Sequence, residues 1–446
     1  MKHCFIKFTV LCTLFFTWGC AALSKRSVSK SDKTTVVFLI DGLGVDSLKA
    51  ALKQYPMSGF RRHFNIDNES FQLARATFPT LTYPNITSLL TTRAVDGHPI
   101  IGNQVVIGHR KIDFQLPLNL ALLNKSVEPF SIFQKLKDQN LTSASFSYLF
   151  GQNATDHIAP NLSYSIEYQF KEYSHLDQKL IDSLVSFLKQ NPASGWPRFI
   201  YVHLIGFDGH AHLYGPNSEK SLSYLSRLDS SLDKAFSILE SGDRLGHPVE
   251  TILTSDHGFV DSNSYVDIDN LINSLDHDIL TLNEQRFLTI HKPSRLSDEE
   301  LTKKLEPIST VSGVDMIAQR LEDSIVVKSP SQNFEIKYGP KLCSKYSYSI
   351  KVGSSSRFQC PDFFDQGAES SAFPYLITNL ANYFKSPIRP DAIVVAKAGY
   401  GFTRSAKGNH GGLSKEEVLV PLLTRNISFG LKIQIVKTSE LLLGIF

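Results

Sequence analysis

The sequence has little of what marks a nucleic-acid-binding or membrane-spanning protein. Its formal net charge is only +3 over 446 residues, and it has no Lys/Arg run that could follow a nucleic-acid backbone. Past the first twenty residues, no stretch reaches the roughly 18 apolar residues that a membrane-spanning helix needs. There is no internal repeat and no low-complexity tract. These absences argue against binding to a nucleic-acid polymer and favour an ordinary globular protein with a large core.

The N-terminus predicts export. It begins "MKHCFIK", with two lysines and no acid, and continues with the short apolar run "FTVLCTLFFTW". Such a run is typical of a secretory signal rather than a membrane span. Gly19-Cys20 after this run resembles the lipobox of bacterial lipoproteins. We therefore interpret residues 1–19 as a signal peptide and expect a periplasmic lipoprotein of a Gram-negative bacterium, anchored at Cys20. Ordinary cleavage after the following Ala pair is the alternative.

Cysteine is scarce in the rest of the chain. With residues 1–19 removed, only Cys20, Cys343 and Cys360 of the five cysteines remain. In an oxidising compartment, Cys343 and Cys360 are expected to form a disulfide bond.

Apolar runs that alternate with helix-like stretches predict an α/β fold. The run Val36–Ile40 ends in Asp41, and similar runs occur at 199–204 and 251–254. Weaker ones occur in "SASFSYLF" and "DAIVVAKAGYGF". Continuous Val/Ile/Leu/Phe runs fit strands that are buried on both faces of a largely parallel sheet.

The segment 265–390 differs from the rest in its pattern. It contains short mixed runs such as "SIVVKSP" and "NFEIKYG" with turn residues between them. We interpret it as an inserted α+β cap subdomain. The catalytic core is then predicted to comprise residues 34–264 and 391–446.

Three of the predicted strands are followed by an acidic residue, namely Asp41, Asp208 and Asp256. In open parallel sheets, ligands bind beyond the carboxyl ends of the strands. Histidines accompany these acids in "DGHAHLYGP" and "SDHGF", and another histidine lies in "GNHGG". Oxygen and nitrogen donors without thiolates suit zinc or another borderline divalent metal.

The motif set resembles the type I phosphodiesterase/nucleotide pyrophosphatase family of the alkaline phosphatase superfamily. The matching motifs are Asp41, "FPTLTYPN", "GHPIIGN", "DGHAHLYGP", "SDHG" and "GNHGG", in the family's order over roughly 34–260 and 380–425. The resemblance implies an alkaline-phosphatase-like three-layer α/β core with a two-zinc site. It also implies a threonine nucleophile, Thr82, within Thr82-Tyr83-Pro84-Asn85.

The resemblance also implies the role of each site residue. One zinc ion would be bound by Asp41, Asp256, His257 and the Thr82 oxygen. The other would be bound by Asp208, His212 and His410. Asn103 would donate a hydrogen bond to a phosphoryl oxygen. His210 has no counterpart in the family pattern, and we expect it to lie behind the ligands.

The chemistry of these residue types agrees with that assignment. Zinc lowers the pKa of bound water from 15.7 to about 7, so a threonine beside zinc would need no histidine base. Pro84 suits the first turn of a helix whose free N–H groups would face a phosphate.

The predicted activity is therefore metal-dependent cleavage of a phosphodiester or pyrophosphate through a phospho-threonine intermediate. The alternatives are a headgroup transferase of the phosphoethanolamine type, a phosphomonoesterase or a phosphonate hydrolase. A further alternative is an inactive binding protein on the same scaffold.

The substrate is expected to be a small phosphodiester or a nucleotide-like molecule. The base-stacking Trp-Pro pair of nucleotide-cleaving members is absent from "FSYLFGQNATD". The candidate stacking residues are Tyr148, Phe150, Tyr168 and Phe170. Arg75 and Arg93 flank the nucleophile but do not occupy positions that the family uses for monoester recognition, so diesters are expected to be preferred.

Overall fold

The computed structural model describes most of the chain after the predicted signal segment. The described residues are 32–66, 70–108, 110–116, 119–158, 172–329, 333–338, 348–351, 358–360, 365, 367–404, 406–427, 435–437 and 440–442. The predicted signal peptide 1–19, Cys20 and Cys343 lie outside them. Cys360 is disulfide-bonded. Within the described part of the chain, every helix is too short or too polar to cross a membrane.

The elements alternate along the first half of the chain and become mainly strands in the second half. The helices are α1 (Val45–Gln54), α2 (Ser58–Phe64), α3 (Thr82–Thr91), α4 (Leu120–Val127), α5 (Ile132–Asp138), α6 (Tyr173–Gln190), α7 (Gly206–Tyr214), α8 (Glu219–Arg244), α9 (Ile268–Leu275), α10 (Asp298–Leu305), α11 (Leu376–Tyr383) and α12 (Lys415–Val418). The strands are β1 (Thr34–Ile40), β2 (Gln72–Arg75), β3 (Gln104–Ile107), β4 (Arg110–Asp113), β5 (Ser143–Phe146), β6 (Asp156–Ile158), β7 (Phe199–Leu204), β8 (Val249–Thr254), β9 (Val260–Tyr265), β10 (Leu280–Asn283), β11 (Phe287–His291), β12 (Val314–Arg320), β13 (Ser324–Lys328), β14 (Asn333–Tyr338), β15 (Tyr348–Lys351), β16 (Phe358–Gln359), β17 (Ala392–Ala396), β18 (Gly399–Gly401), β19 (Gly408–Asn409), β20 (Leu419–Arg425) and β21 (Ile435–Lys437).

The main sheet has eight strands in the order β21-β2-β20-β8-β1-β7-β5-β6. The strands β8, β1, β7, β5 and β6 pair in parallel. β20 runs antiparallel to both of its neighbours, β8 and β2, while β21 pairs with β2 in parallel. The sheet is therefore largely parallel, and the predicted fold class is confirmed.

The strand β1 is buried on both faces, which makes the core three-layered. Val36 and Phe38 belong to a cluster with side chains of α1, α2, α6 and α8. Val37 and Leu39 point into a second cluster, with side chains of α3 and α5. Because side chains alternate along a strand, one uninterrupted apolar run supplies both layers.

A second sheet of eight antiparallel strands lies beside the core, in the order β10-β11-β17-β12-β13-β14-β15-β16. Its strand β17 comes from "DAIVVAKAGYGF", which we expected in the parallel sheet. That expectation is wrong, because β17 pairs with β11 and β12 in antiparallel orientation. The run is apolar throughout since Ile393 and Val395 face the core cluster while Ala392 and Val394 face a cluster of the second sheet. Burial on both faces gives an antiparallel strand the composition of a parallel one.

Candidate metal centre and nucleophile

The acidic candidates meet at the carboxyl ends of three adjacent strands. Asp41 directly follows β1, Asp256 lies two residues after β8, and Asp208 lies in the first turn of α7, just after β7. Gly42 takes a left-handed conformation with φ of 73°, and its N–H donates to Asp256 Oδ1 at 3.1 Å. A Cβ atom there would lie 2.4 Å from the Phe259 ring, so this turn requires glycine.

The three predicted histidine ligands are oriented in the same way. In each ring, Nδ1 donates to a backbone carbonyl, and Nε2 is left with a free lone pair. The Nδ1–oxygen distances are 2.9 Å from His212 to Gly408, 3.2 Å from His257 to Gly258 and 2.9 Å from His410 to Thr80. In metal-binding histidines, such a hydrogen bond from the ring nitrogen that does not bind the metal fixes the tautomer and the ring orientation.

The Nε2 atoms of these histidines converge with the carboxylates in two groups. In the first, Asp208 Oδ1 lies 3.5 Å from His212 Nε2 and 3.6 Å from His410 Nε2, and the two nitrogens are 3.2 Å apart. The second group contains Asp41, Asp208 and His257. Asp208 lies between the two groups, although the sequence analysis gave it to one metal only.

Asp256 and the nucleophile candidate complete the second group. His257 Nε2 lies 3.5 Å from Asp41 Oδ1, 3.3 Å from Asp256 Oδ2 and 3.3 Å from Thr82 Oγ1. The structure thus brings all seven predicted ligands together.

Three buried carboxylate oxygens of this site, Asp41 Oδ1, Asp208 Oδ1 and Asp256 Oδ2, have no hydrogen-bond partner among the described residues. Leaving such oxygens buried without a partner is unfavourable. Burial raises the pKa of Asp41 well above its usual range, and the nearby carboxylates of Asp256 and Asp208 raise it further. Burial likewise lowers the pKa of His257 to about 4. Divalent cations bound between these atoms would satisfy both the unpartnered carboxylate oxygens and the imidazole Nε2 atoms, so the residues fit a zinc pair.

Thr82 is the first residue of α3, and its side chain is partly exposed. Asn85 fixes the chain that leads to it. The buried Asn85 side chain accepts the Thr77 N–H at 2.7 Å and donates to the carbonyls of Thr77, Pro79 and Leu81. Pro84 occupies the first turn, where a missing N–H costs no helical hydrogen bond.

Thr80 has a different role from Thr82. It is fully buried, its hydroxyl donates to the Gly412 carbonyl at 2.8 Å, and it accepts the Gly411 N–H at 3.1 Å. Its own carbonyl accepts from His410 Nδ1. Thr80 therefore holds the loop that carries His410 and is not available as a nucleophile.

Asn103 lies beside the start of α3. Its Oδ1 accepts the Tyr83 N–H at 3.3 Å, and the side chain is buried. With Oδ1 engaged, the Nδ2 group is the part that can donate to a bound oxyanion.

The described contacts of His210 are with residues other than the seven ligand candidates. Its Nδ1 donates to the Gly206 carbonyl at 2.8 Å, and its ring stacks on Tyr224 with centroids 4.3 Å apart. His212, two residues after His210 on the same helix, is the histidine whose Nε2 lies close to Asp208.

Neither flanking arginine is directed at the site by its described contacts. The Arg75 guanidinium lies 3.8 Å from the Tyr375 ring centroid and donates to Asp365 at 2.9 Å. The Arg93 guanidinium covers the Phe130 ring at 3.7 Å.

Among the four candidate stacking residues, Phe150 is buried in the core cluster and Tyr148 is partly buried. Tyr168 and Phe170 lie outside the described residues. Base stacking thus gains no support from Phe150.

The sequence analysis missed His203. Its Nε2 lies 2.8 Å from Asp41 Oδ2, and burial lowers its pKa to about 3. The neutral ring therefore donates to Asp41 and fixes the orientation of that carboxylate. The available signal was a histidine inside the otherwise apolar run "FIYVHL".

Asp177 of α6 was also missed. This buried carboxylate accepts the N–H groups of Ile205 and Gly206, each at 2.9 Å, together with the Tyr224 hydroxyl. It thereby caps α7, the helix that presents Asp208. Within "LDQKLIDSL" it resembles an ordinary exposed helix residue, so no sequence signal identified it.

Comparison with known proteins agrees with this geometry. A family model described as type I phosphodiesterase / nucleotide pyrophosphatase matches residues 35–418. Human ectonucleotide pyrophosphatase/phosphodiesterase family member 1 is 27% identical over 192 residues, which is 41% of this chain. The matched part spans only 19% of that human protein.

Solved structures show the same fold. Murine ectonucleotide pyrophosphatase/phosphodiesterase 5 superposes with a TM-score of 0.59 at 14% identity, covering 92% of each chain. Phosphonoacetate hydrolase from Sinorhizobium meliloti 1021, in complex with phosphonoformate, gives a TM-score of 0.59 at 14% identity, covering 92% of this chain and 94% of the other. The family model covers most of the sequence and includes the segments that carry all seven ligand candidates and Asn103. The chain therefore belongs to the type I phosphodiesterase/nucleotide pyrophosphatase family, as its motifs predicted.

Proposed function

We propose that this protein hydrolyses small phosphodiesters or pyrophosphates through a covalent phospho-threonine at Thr82, with two bound zinc ions. The observation that carries the proposal is the convergence of three imidazole Nε2 atoms, three carboxylates, two of them buried, and the Thr82 hydroxyl. The proposed ligands are Asp41, Thr82, Asp208, His212, Asp256, His257 and His410.

The donor set favours zinc, since it offers imidazole nitrogens and carboxylate oxygens without thiolates. When bound, the two ions would supply Lewis acidity at the nucleophile and at the leaving oxygen. The chain itself fixes where those ligands point, because each histidine is held by a backbone carbonyl and Asp41 is held by His203.

The remaining chemistry depends on the chain's own groups. The Thr82 oxygen bonds to phosphorus while the bond from phosphorus to the leaving oxygen breaks. The leaving group takes up the proton that the Thr82 hydroxyl loses. Asn103 Nδ2 and the backbone N–H of Thr82, the first residue of α3, donate to the phosphoryl oxygens. Water then cleaves the phospho-threonine, so each turnover consumes one water and restores the Thr82 hydroxyl.

A solved relative supports both the nucleophile and the ligand class. An inactive threonine-to-alanine variant of murine ectonucleotide pyrophosphatase/phosphodiesterase 5 was solved in complex with AMP. We infer that the threonine of this chain has an equivalent role and that a small nucleotide-like ester fits the site.

We further infer a preference for diesters over monoesters. A monoester carries an extra negative charge at phosphorus, and the two arginines nearest the nucleophile in sequence, Arg75 and Arg93, make contacts elsewhere. Hydrolysis rates of bis(4-nitrophenyl) phosphate and 4-nitrophenyl phosphate, measured on one zinc-loaded preparation, test this. A higher kcat/KM for the monoester would overturn the substrate class.

Phosphonate hydrolysis is the second candidate. It is supported by the fold shared with phosphonoacetate hydrolase, whose structures contain phosphonoformate and phosphonoacetate. Adding phosphonoacetate to the same assay distinguishes phosphonate hydrolysis from diester hydrolysis. Release of phosphate from phosphonoacetate at a higher rate than cleavage of the diester would favour phosphonate hydrolysis.

We also propose that the chain is exported and anchored by a lipid on Cys20. The basic start, the short apolar run and the Gly19-Cys20 pair support this.

A further inference from the structure

The turn between β10 and β11, residues 283–287, contacts three of the segments that carry site residues, namely those of Thr82, Asn103 and His410. Here we name it the β10–β11 turn. Phe287 packs against Phe78 of the nucleophile loop, with ring centroids 5.1 Å apart. The Glu284 side chain bonds to the loop of Asn103. A Cβ atom on Gly411, next to His410, would lie 2.8 Å from the Glu284 carbonyl oxygen.

A buried ion pair makes a second connection between the same turn and the segment that follows His410. Arg286 Nε lies 3.4 Å from Glu417 Oε1, and both side chains are almost fully buried. Glu417 accepts the N–H groups of Gly412 at 2.7 Å and Ser414 at 3.2 Å. The turn therefore contacts the segment after His410 directly at Gly411, and through Glu417 at Gly412 and Ser414.

The most specific contact is that of Glu284 with the Asn103 loop. Glu284 Oε1 accepts the Gln104 N–H at 2.5 Å, and the backbone N–H of Asn103 interacts with the same carboxyl. The loop lies so close that a Cβ atom on Gly102 would be 2.9 Å from Glu284 Oε1. Gln104 Nε2 also donates to the Asn283 carbonyl at 3.4 Å. No motif of the sequence analysis includes Glu284.

A second contact holds the Asn103 side chain itself. Its Oδ1 is engaged with the Tyr83 N–H at the start of α3. Glu284 thus holds the Asn103 backbone while α3 holds the Asn103 side chain. Together the two contacts determine where Nδ2 points.

We propose that Glu284 is a positioning residue that sets Asn103 for hydrogen bonding to the phosphoryl oxygen during turnover. This inference depends on the proposed function, since it assigns Asn103 that role. Glu284 touches neither substrate nor metal and acts only through the loop of residues 102–104.

The state of the Glu284 side chain sharpens the test. Burial raises the pKa of the Glu284 carboxyl to about 8. The hydrogen bond from the Gln104 N–H opposes this rise, because it lowers the pKa. At neutral pH the side chain is therefore mostly uncharged, and an oxygen acceptor is what the loop needs. Glutamine offers such an acceptor at the same chain length, whereas aspartate is one methylene too short.

The experiment measures kcat and KM for bis(4-nitrophenyl) phosphate, zinc content and thermal stability of purified variants. Glu284→Ala should lower kcat by about 10–100-fold, as loss of an outer positioning partner typically does, with zinc content unchanged. Glu284→Gln should retain at least about a third of the wild-type kcat, and Glu284→Asp should resemble Glu284→Ala. Since the aspartate variant conserves most of the volume, it keeps the test available if Glu284→Ala does not fold.

The matched control is Asp229, a largely buried carboxylate that accepts the N–H groups of Gly59 and Phe60 from another helix. Asp229→Ala should lower thermal stability while leaving the kcat of the folded enzyme unchanged. If Asp229→Ala and Glu284→Ala reduced kcat equally, Glu284 would have only a structural role and the inference would be wrong.

A double-mutant cycle with Asn103→Ala decides whether Glu284 acts through Asn103. In the Asn103→Ala background, Glu284→Ala should change kcat by less than about 3-fold, because coupled residues are not additive. Full additivity would overturn the inference while the proposed function stands. If Asn103→Ala itself left kcat unchanged while Thr82→Ala abolished turnover, both the Asn103 role and the inference would fail but the threonine nucleophile would not.

Discussion

Replacing the two threonines of the nucleophile loop one at a time should separate chemistry from architecture. Thr82→Ala removes the proposed nucleophile, and Thr80→Ala removes a buried hydroxyl two residues before it. The contacts of the two side chains differ so strongly that the two variants should fail in opposite ways.

For Thr82→Ala, the structure predicts a large kinetic effect and a small effect on stability. The side chain is partly exposed, and its described polar contact is His257 Nε2 at 3.3 Å. Its loss should lower the free energy of unfolding by less than about 1 kcal/mol. Loss of a covalent nucleophile should cut kcat by at least about 10⁴-fold, or ~5.4 kcal/mol in activation free energy. Six of the seven metal ligands remain, so zinc content should change little.

For Thr80→Ala, the magnitudes reverse. The variant leaves the Gly411 N–H and the Gly412 carbonyl buried without their partner, at a cost of about 1–3 kcal/mol for each group. The Thr80 carbonyl that orients His410 belongs to the backbone and is retained. Turnover of the folded protein should therefore fall by no more than about 10-fold, the low end of the range for loss of an outer positioning partner, because the group that orients His410 is retained.

Both variants should be assayed for bis(4-nitrophenyl) phosphate hydrolysis, zinc content and thermal unfolding. Thr82→Ser, which keeps a hydroxyl, is the matched control and should recover part of the activity. A Thr82→Ala enzyme with a tenth of the wild-type kcat, or equal kinetic damage from both alanine variants, would refute the assignment of the nucleophile.

Four further outcomes are expected. Metal analysis should find about two zinc ions per chain, and Asp256→Ala should lose metal and activity together; full activity of metal-free protein would contradict the site. His203→Ala should weaken zinc binding about 10–100-fold because the Asp41 carboxylate loses its buried donor, and His203→Gln should restore part of that affinity; equal zinc affinity in all three proteins would refute this role. Thiol titration of the denatured, unreduced protein should find no free thiol at Cys343 or Cys360, and two reactive thiols would disprove the bridge. Mass spectrometry of the mature N-terminus should detect lipidated Cys20, and an intact N-terminal Met would exclude it.

The sequence was sufficient to predict the strands β1, β5, β7 and β8 of the parallel sheet and the seven candidate ligands that the structure brings together. Uninterrupted apolar runs identify strands buried on both faces, and the acid after each run indicates the functional edge of the sheet. The four-residue spacing of Asp208 and His212 puts both on one face of a helix, which the structure shows as a 3.5 Å contact. Such features are local, and a single stretch of chain displays them.

The residues that were missed act through contacts between distant parts of the chain. Asp41 and His203 are 162 residues apart, and Gln104 and Glu284 are 180 apart. Their roles depend on strand register and on the packing of the second sheet, neither of which is visible in a local pattern. The strand β17 was misplaced for a related reason, since an apolar run reports burial and not the direction of its neighbours.

The place of β2 in the main sheet has a consequence for biosynthesis. Its pairing partners among the described strands are β20 and β21, both made more than 340 residues later. The nucleophile loop follows β2 directly, and Thr80 is fixed by Gly411 and Gly412. Chains are made from the N-terminus, so a chain still in synthesis has the nucleophile loop and its Asn85 contacts but lacks the strands that pair with β2 and the glycines that hold Thr80. The site should thus assemble only after β20 and β21 have been made.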